Sequence, residues 1–310
     1  VGHLAWRVID GLLLLDKPEG LSSSNALQKA RRLFSAAKAG HTGTLDLLAS
    51  GLLPVCFGEA TKFSGGLLAA NKSYEALVHL GIRTSTADLE GKIVSQCAVD
   101  VTLTQIKTTL EAMLGEQQQV PPMFSAIKQE GKPLYQLARQ GISVERKARK
   151  VHIYTLELLK RVDNYLHIVV TCSKGTYIRT LAEEIGERLG CGAHLASLRR
   201  TAVGDLQIAD SHTLSALSAL NESELFARLE PVDKLLVGLP SCNLSEIETR
   251  LFRCGKAVAP SSNEHCLKDG IYRIYETGKS FIGTGEMRTD ALMYPRRLMA
   301  KSVTVRSIVF

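Results

Sequence analysis

Three features of the sequence predict a mixed α and β chain built as one large and one small unit. Apolar runs of strand length, some alternating with period two, are interleaved with segments whose apolar residues recur at helical spacing. A length of 310 residues is enough for two domains and a sizeable buried core. The break Gly238-Leu239-Pro240 sets off a short, glycine-punctuated tail, so the expected units are 1–238 and 239–310.

Residues 11–16, GLLLLD, read as a buried strand ended by the turn Lys17-Pro18-Glu19-Gly20. Ser22, Ser23 and Ser24 then offer N-caps for a helix over 25–34. A loop rich in Gly and Thr, 40–51, leads into the apolar run 52–57. Over 74–82, Tyr74, Ala76, Val78 and Leu80 share one face of a strand. Helices are expected over 103–114 and 132–140, with Pro121-Pro122 breaking the chain between them. The basic run Arg146-Lys147-Ala148-Arg149-Lys150 precedes two strands, VHIYTLEL and YLHIVVTC. A helix over 177–189 ends at Gly190, where a left-handed cap fits. Strand character resumes over 195–203, and 211–236 reads as helical. In the tail, Gly270, Gly278, Gly283 and Gly285 mark turns of a β-rich module.

Composition narrows the function classes. With 45% hydrophobic and 22% charged residues the chain is neither disordered nor a low-complexity fibre. No stretch approaches 18 apolar residues, so no membrane span is expected. The apolar run 12–15 is cut by Asp16 and Lys17, too soon for a signal-peptide core, so a cytoplasmic location is expected. Cys56, Cys97, Cys172, Cys191, Cys242, Cys254 and Cys266 are odd in number and contain no C-x-x-C pair. Neither a disulfide framework nor a structural zinc site is therefore expected. The net charge is +7, and residues 241–310 hold 11 basic against 7 acidic side chains, an excess of +4 in 70 residues. Such a surface attracts polyanions, nucleic acid above all.

Two segments carry chemistry. In Gly40-His41-Thr42-Gly43-Thr44-Leu45-Asp46, two glycines permit close backbone approach and polar side chains hold the loop, so Asp46 can be fixed in one pose. An ordinary turn with Asp46 as a helix cap fits the same residues. Ser173-Lys174-Gly175-Thr176-Tyr177-Ile178-Arg179 stands at a strand-to-helix junction, where free N–H groups and Lys174 favour an anion. The order K-G-T and the missing first glycine exclude a P-loop. Here the plainer reading is a packed Tyr177 and a solvated Arg179.

Gly40 to Asp46, continued as LLASGLLPVCFGEATKF, resembles the catalytic motif of the bacterial TruB-type tRNA pseudouridine synthases. GLLLLDKPEGLSSS is similar to that family's N-terminal motif, and KSYEALVHLG to its tyrosine motif. VPPMFSAIKQEGKPLYQLARQG and SKGTYIRTLAEEIGERLGCGAHLASLRRTAVG also match, so the likeness runs in order over nearly all of 11–205. The tail resembles the PUA-type RNA-binding module. Three positions depart from the pattern: Leu47 where the family has Pro, Ser50 where it has Thr, and Ser85 where it has an acidic residue.

The resemblance implies an α+β fold, with a mixed, mostly antiparallel central sheet crossed by helices, an RNA cleft across its middle and a small β-rich PUA-like domain over 239–310. It implies isomerisation of uridine 55 in the T arm of tRNA, by base flipping and without a cofactor or metal. Asp46 would be the nucleophile, paired with Arg179. Tyr74 would stack on the uracil near C5, Tyr177 and Leu198 would line the pocket, and His41 would wedge against flipped RNA. Lys17, Lys62, Lys174 and the 146–150 run are candidates for phosphate contacts, and for the run a solvated loop fits as well. The chain is expected to act as a monomer with no obligatory protein partner. Two other readings share the fold: a non-catalytic tRNA-binding or tRNA-folding protein, which would not need Asp46, and a synthase dependent on guide RNA and protein partners.

Overall fold

The computed structural model describes residues 6–129, 131–261, 268–276 and 280–300. A ten-stranded sheet frames residues 11–213. Its main strands are β1 (Gly11–Lys17), β2 (Ala39–His41), β3 (Ala49–Phe57), β4 (Lys72–Leu80), β5 (Gly115–Gln119), β6 (Arg149–Val162), β7 (Tyr165–Cys172) and β8 (Ala193–Val203). They lie in the order β1-β3-β8-β4-β7-β6-β5, with β2 on β3 and short strands 206–207 and 212–213 on β8 and β1. All pairs are antiparallel except β3 with β8 and the strand 212–213 with β1. The fold is the α+β class with a mixed, mostly antiparallel sheet.

Strand β1 shows why a strand can lack alternation. Leu13 and Leu15 enter the larger core, whereas Leu12 and Leu14 enter a second cluster with Leu52, Phe63 and Val203. Side chains alternate between faces, so a strand covered on both must be apolar throughout. Strand β4 is fully covered on one face only: Ala76, Val78 and Leu80 are buried there, while Glu75, Leu77 and His79 on the other face are partly exposed. Helix α1 (Ser23–Leu33) is capped by the Ser22 hydroxyl, which accepts from Asn25 N–H, and it packs Ala26, Leu27 and Ala30 on the larger core. Helices α2 (Leu103–Glu111), α3 (Leu134–Arg139) and α4 (Ile178–Arg188) follow, and Gly190 after α4 has φ +75°, the expected left-handed cap.

Several boundaries differ from the sequence reading. The strand expected at 52 starts at Ala49, and the one expected at 195 starts at Ala193. The polar segment Gly115–Gln119 pairs as an edge strand that no hydrophobic pattern announces. The helical reading of 211–236 is corrected: only Leu214–Ser218 and Glu222–Phe226 are α-helical, with a 3-10 turn at Val232–Leu236. Asn221 starts a new helix with its own capping box to Glu224, and Pro231 precedes the last turn. Gly270, Gly283 and Gly285 are strand residues rather than turns: a Cβ on Gly283 would stand 2.1 Å from Arg297 O, and one on Gly285 2.9 Å from Phe252. Gly278 and Cys266 lie outside the described residues.

The tail forms a four-stranded sheet of β9 (Ser241–Leu244), β10 (Gly270–Glu276), β11 (Ser280–Met287) and β12 (Met293–Leu298), with helix α5 (Glu246–Arg253). Leu244, Phe252, Ile274, Ile282 and Met293 are its core. Phe281 meets Phe63 edge-on at 5.4 Å, and Ala300 N–H donates to the Glu59 carboxylate at 2.6 Å.

Candidate active site

Asp46 stands in the loop between β2 and β3, and the loop is pinned along its length. Thr42 N–H donates to Pro54 O at 3.1 Å and Gly20 N–H to Leu47 O at 2.8 Å. The buried Ser23 hydroxyl accepts from Leu45 N–H at 2.8 Å and donates to Leu45 O at 3.0 Å, tying the loop to the start of α1. Two of the three departures from the family pattern fall at this loop: Leu47 is held through its carbonyl, and Ser50 Oγ accepts from Arg199 Nη1 at 3.3 Å.

Arg179, second residue of α4, is sealed at 4% side-chain exposure and puts Nε 2.9 Å from Asp46 Oδ2. It is not a solvated helix residue. Its Nη2 donates to Phe124 O at 2.7 Å, and Nη1 lies 3.5 Å from Asp88 Oδ2. Asp88 is an acidic group the sequence reading missed. The family pattern has its acidic residue at position 85, where Ser85 Oγ instead accepts from Lys92 N–H at 3.1 Å. The available signal was an Asp three residues on in the same TSTADLEG turn. Burial holds the Asp46 carboxyl above its ordinary pKa, Arg179 pulls the other way, and Asp88 pushes with burial.

Around this pair is a cleft of about 370 Å³. Tyr74 from β4, Tyr177 at the N-cap of α4, Leu198 and Arg200 from β8, and the loops 125–127 and 173–176 line it. The structure thus brings Asp46, Tyr74, Tyr177, Arg179 and Leu198 together, with Lys174 at the same cleft. Burial raises the Tyr74 phenol, and the neighbouring Arg200 guanidinium opposes it. Tyr177 is positioned by Gln119, whose Oε1 accepts from Tyr177 N–H at 2.7 Å and whose Nε2 donates to Tyr177 O at 3.1 Å. Gln119 sits at the end of the polar strand β5, which periodicity does not reveal.

His41 ends β2 beside the loop and does not line the cleft. Burial, then Arg200, lower its pKa, which favours the neutral ring. The phosphate role for Lys17 is corrected: the residue is fully buried, and Nζ donates to Pro18 O at 2.8 Å and Leu21 O at 2.6 Å. Lys62 is also engaged, with Glu59 at 2.6 Å. Within the 146–150 run, Arg149 and Lys150 open strand β6, Lys150 pairs with Glu116 at 2.9 Å and Arg146 donates to Pro121 O at 3.2 Å. Among the described residues no cluster of His, Cys, Asp and Glu is arranged to hold a metal ion, and no helix is long and apolar enough to cross a membrane.

Known proteins share this arrangement of chain. Residues 31–178 match the model of the TruB family pseudouridylate synthase N-terminal domain. Residues 179–237 match the tRNA pseudouridylate synthase B C-terminal domain, and 240–299 the pseudouridine synthase II TruB C-terminal model. The tRNA pseudouridine synthase B of Dechloromonas aromatica is 51% identical over 295 residues, covering 95% of this chain and 97% of its own length. That of Neisseria meningitidis serogroup B is 49% identical, covering 92% of each. Among solved structures, an H/ACA RNP bound to a substrate RNA containing 2'-deoxyuridine has a chain 25% identical with a TM-score of 0.70, covering 94% of this chain and 86% of its own. A Cbf5-Nop10-Gar1 complex has one 27% identical with a TM-score of 0.69, covering 89% and 78%. Matched in order by these models over 31–299 and about half identical to these synthases over nearly its whole length, the chain belongs to the TruB family of pseudouridylate synthases and is an isomerase of that family.

Proposed function

We propose that this chain converts uridine to pseudouridine at position 55 in the T arm of tRNA, with Asp46 as nucleophile. The observation that carries the reading is the Asp46–Arg179 pair, 2.9 Å apart, in a cleft walled by Tyr74, Tyr177 and Leu198. The N1–C1′ bond must open, the base turn over, and C5 bond to C1′; C5 then loses its proton and N1 gains one. Product and substrate are isomers, so the step needs no oxidant, reductant or energy source. Asp46, aimed by Arg179, whose charge favours the carboxylate against burial, attacks the nucleotide. Tyr74 lies against the uracil near C5, with Tyr177 and Leu198 as the remaining walls. Extruding the base from its stack costs a few kcal/mol, offset by these contacts. His41, just outside the cleft, meets the RNA beside the flipped nucleotide.

In this reading 1–238 is the catalytic unit and 239–310 a PUA-like RNA-binding module. The chain works in the cytoplasm as a monomer without an obligatory protein partner. The test is pseudouridine mapping on an unmodified tRNA transcript treated with the purified chain alone. Wild type should convert one uridine. Asp46→Asn, nearly isosteric but a poor nucleophile, should convert none while still folding and binding tRNA. Near-normal turnover by that variant would overturn the mechanism.

A further inference from the structure

We infer that Arg200 is a positioning residue for this reaction, holding the loop of Asp46 and the phenol of Tyr74 in one rigid frame. The inference rests on the proposed role of Asp46. Arg200 is 1% exposed and among the largest fully buried side chains. Its Nε donates to Leu52 O on β3 at 2.7 Å, and Nη2 donates to Gly43 O in the loop at 3.2 Å. Its backbone is in register with Gly51, so tightly that a Cβ on Gly51 would stand 2.3 Å from Arg200 O. One residue therefore grips the chain on both sides of Asp46, at Gly43 and at Gly51. On β8 it is also in register with Tyr74 of β4, whose phenol feels its charge.

The choice of arginine is costly, which argues that it serves chemistry. Among the described residues no carboxylate pairs with Arg200. Its charge is buried together with those of Lys17 and Lys72, both held by backbone carbonyls. An apolar residue of that volume would avoid the desolvation. It would leave Gly43 O and Leu52 O without their donor, and the loop free to shift. A displacement of about 1 Å at a reacting group costs on the order of 100-fold in rate.

The experiment compares wild type, Arg200→Lys, Arg200→Met and Asp46→Asn for thermal unfolding, tRNA affinity and single-turnover rate. Arg200→Met should bind tRNA within about twofold of wild type and lose about 100-fold in rate. Arg200→Lys keeps the charge but cannot span both carbonyls, so it should recover only part of that loss. On a Tyr74→Phe background the Arg200→Lys loss should shrink, because the two residues act through one frame. Wild-type rates in Arg200→Lys, strictly additive losses with Tyr74→Phe, or a Lys variant that unfolds in the assay range would each overturn the assignment. If Asp46→Asn turns over normally, the reading of Asp46 fails; full activity in the Arg200 variants beside a dead Asp46→Asn overturns Arg200 alone.

Discussion

Asp46 is pulled in opposite directions by two neighbours, and that yields a test with two signs. Its pKa stands above the ordinary carboxylate value because burial outweighs the Arg179 guanidinium, with Asp88 adding repulsion. If Asp46 reacts as the proposed nucleophile, its active form is the carboxylate, and the rate should fall as pH falls through that pKa. Arg179→Ala removes the stabilising cation and should move the acidic limb of the single-turnover profile to higher pH. Asp88→Asn removes a like charge and should move it to lower pH, even though Arg179 is then held less firmly. Limbs that move together, measured from about pH 4.5 to 8, would mean that Asp46 is not the titrating group. Lys72 offers a second test, on stability. Burial lowers its pKa to about 8, below the unfolded value of 10.5. Below pH 8 both states are charged and the folded state bears the full penalty; between about 8 and 10.5 the unfolded state holds more protons, so stability rises with pH. Urea unfolding should show wild type gaining on Lys72→Met across that window, by at most about 1.4 kcal/mol per pH unit. A difference that stays flat would contradict the burial.

At the scale of elements, the junction of β3 with β8 is the tightest constraint on the site. Gly51 has φ +105°, a conformation side chains rarely adopt, and it leaves no room for a Cβ against Arg200. Gly51→Ala should cost roughly 2–4 kcal/mol in urea unfolding and reduce turnover further than stability alone explains, since the strand carries the Asp46 loop. An alanine variant of wild-type stability and rate would show that the junction is slack. The same scale shows where local sequence was readable. The Ser22 cap, the Gly190 cap and the alternation of β4 rest on residue-local chemistry and were legible. The edge strand Gly115–Gln119 was not, because its pairing with β6 satisfies the backbone without any apolar signal. The long helix read into 211–236 failed because apolar spacing persists across Asn221 while the cap there ends one helix and begins another.

The whole molecule adds charge and reach. The chain carries a net +7, and its C-terminal unit is fastened to the larger one through Phe63–Phe281, Glu59–Ala300 and a hydrogen bond from Tyr275 to Asp233 at 2.7 Å. If this surface tracks an RNA backbone, affinity for tRNA should fall by more than about tenfold between 50 and 200 mM salt, the loss for as few as two neutralised phosphates. Filter binding across that range checks it, and affinity indifferent to salt would refute a backbone-tracking interface. The expected phosphate set loses Lys17, which is fully buried and held by backbone carbonyls, whereas Lys62 stays partly exposed beside Glu59.

By itself the sequence determined the alternation of elements, the motif order that carries the family, and the residue types that meet in the cleft: Asp46, Tyr74, Tyr177, Arg179 and Leu198. The elements are legible because caps and strand periodicity act over a few residues; the cleft residues were implied by the motif resemblance, without which Tyr177 read as packed and Arg179 as solvated. Only the tertiary structure decided which cations are exposed and which are buried, that Asp88 shares Arg179 with Asp46, that Gln119 holds Tyr177, and that Arg200 grips the chain on both sides of Asp46. Those contacts join residues far apart along the chain, and whether a charge is solvated or sealed depends on what the other strands and loops bring over it.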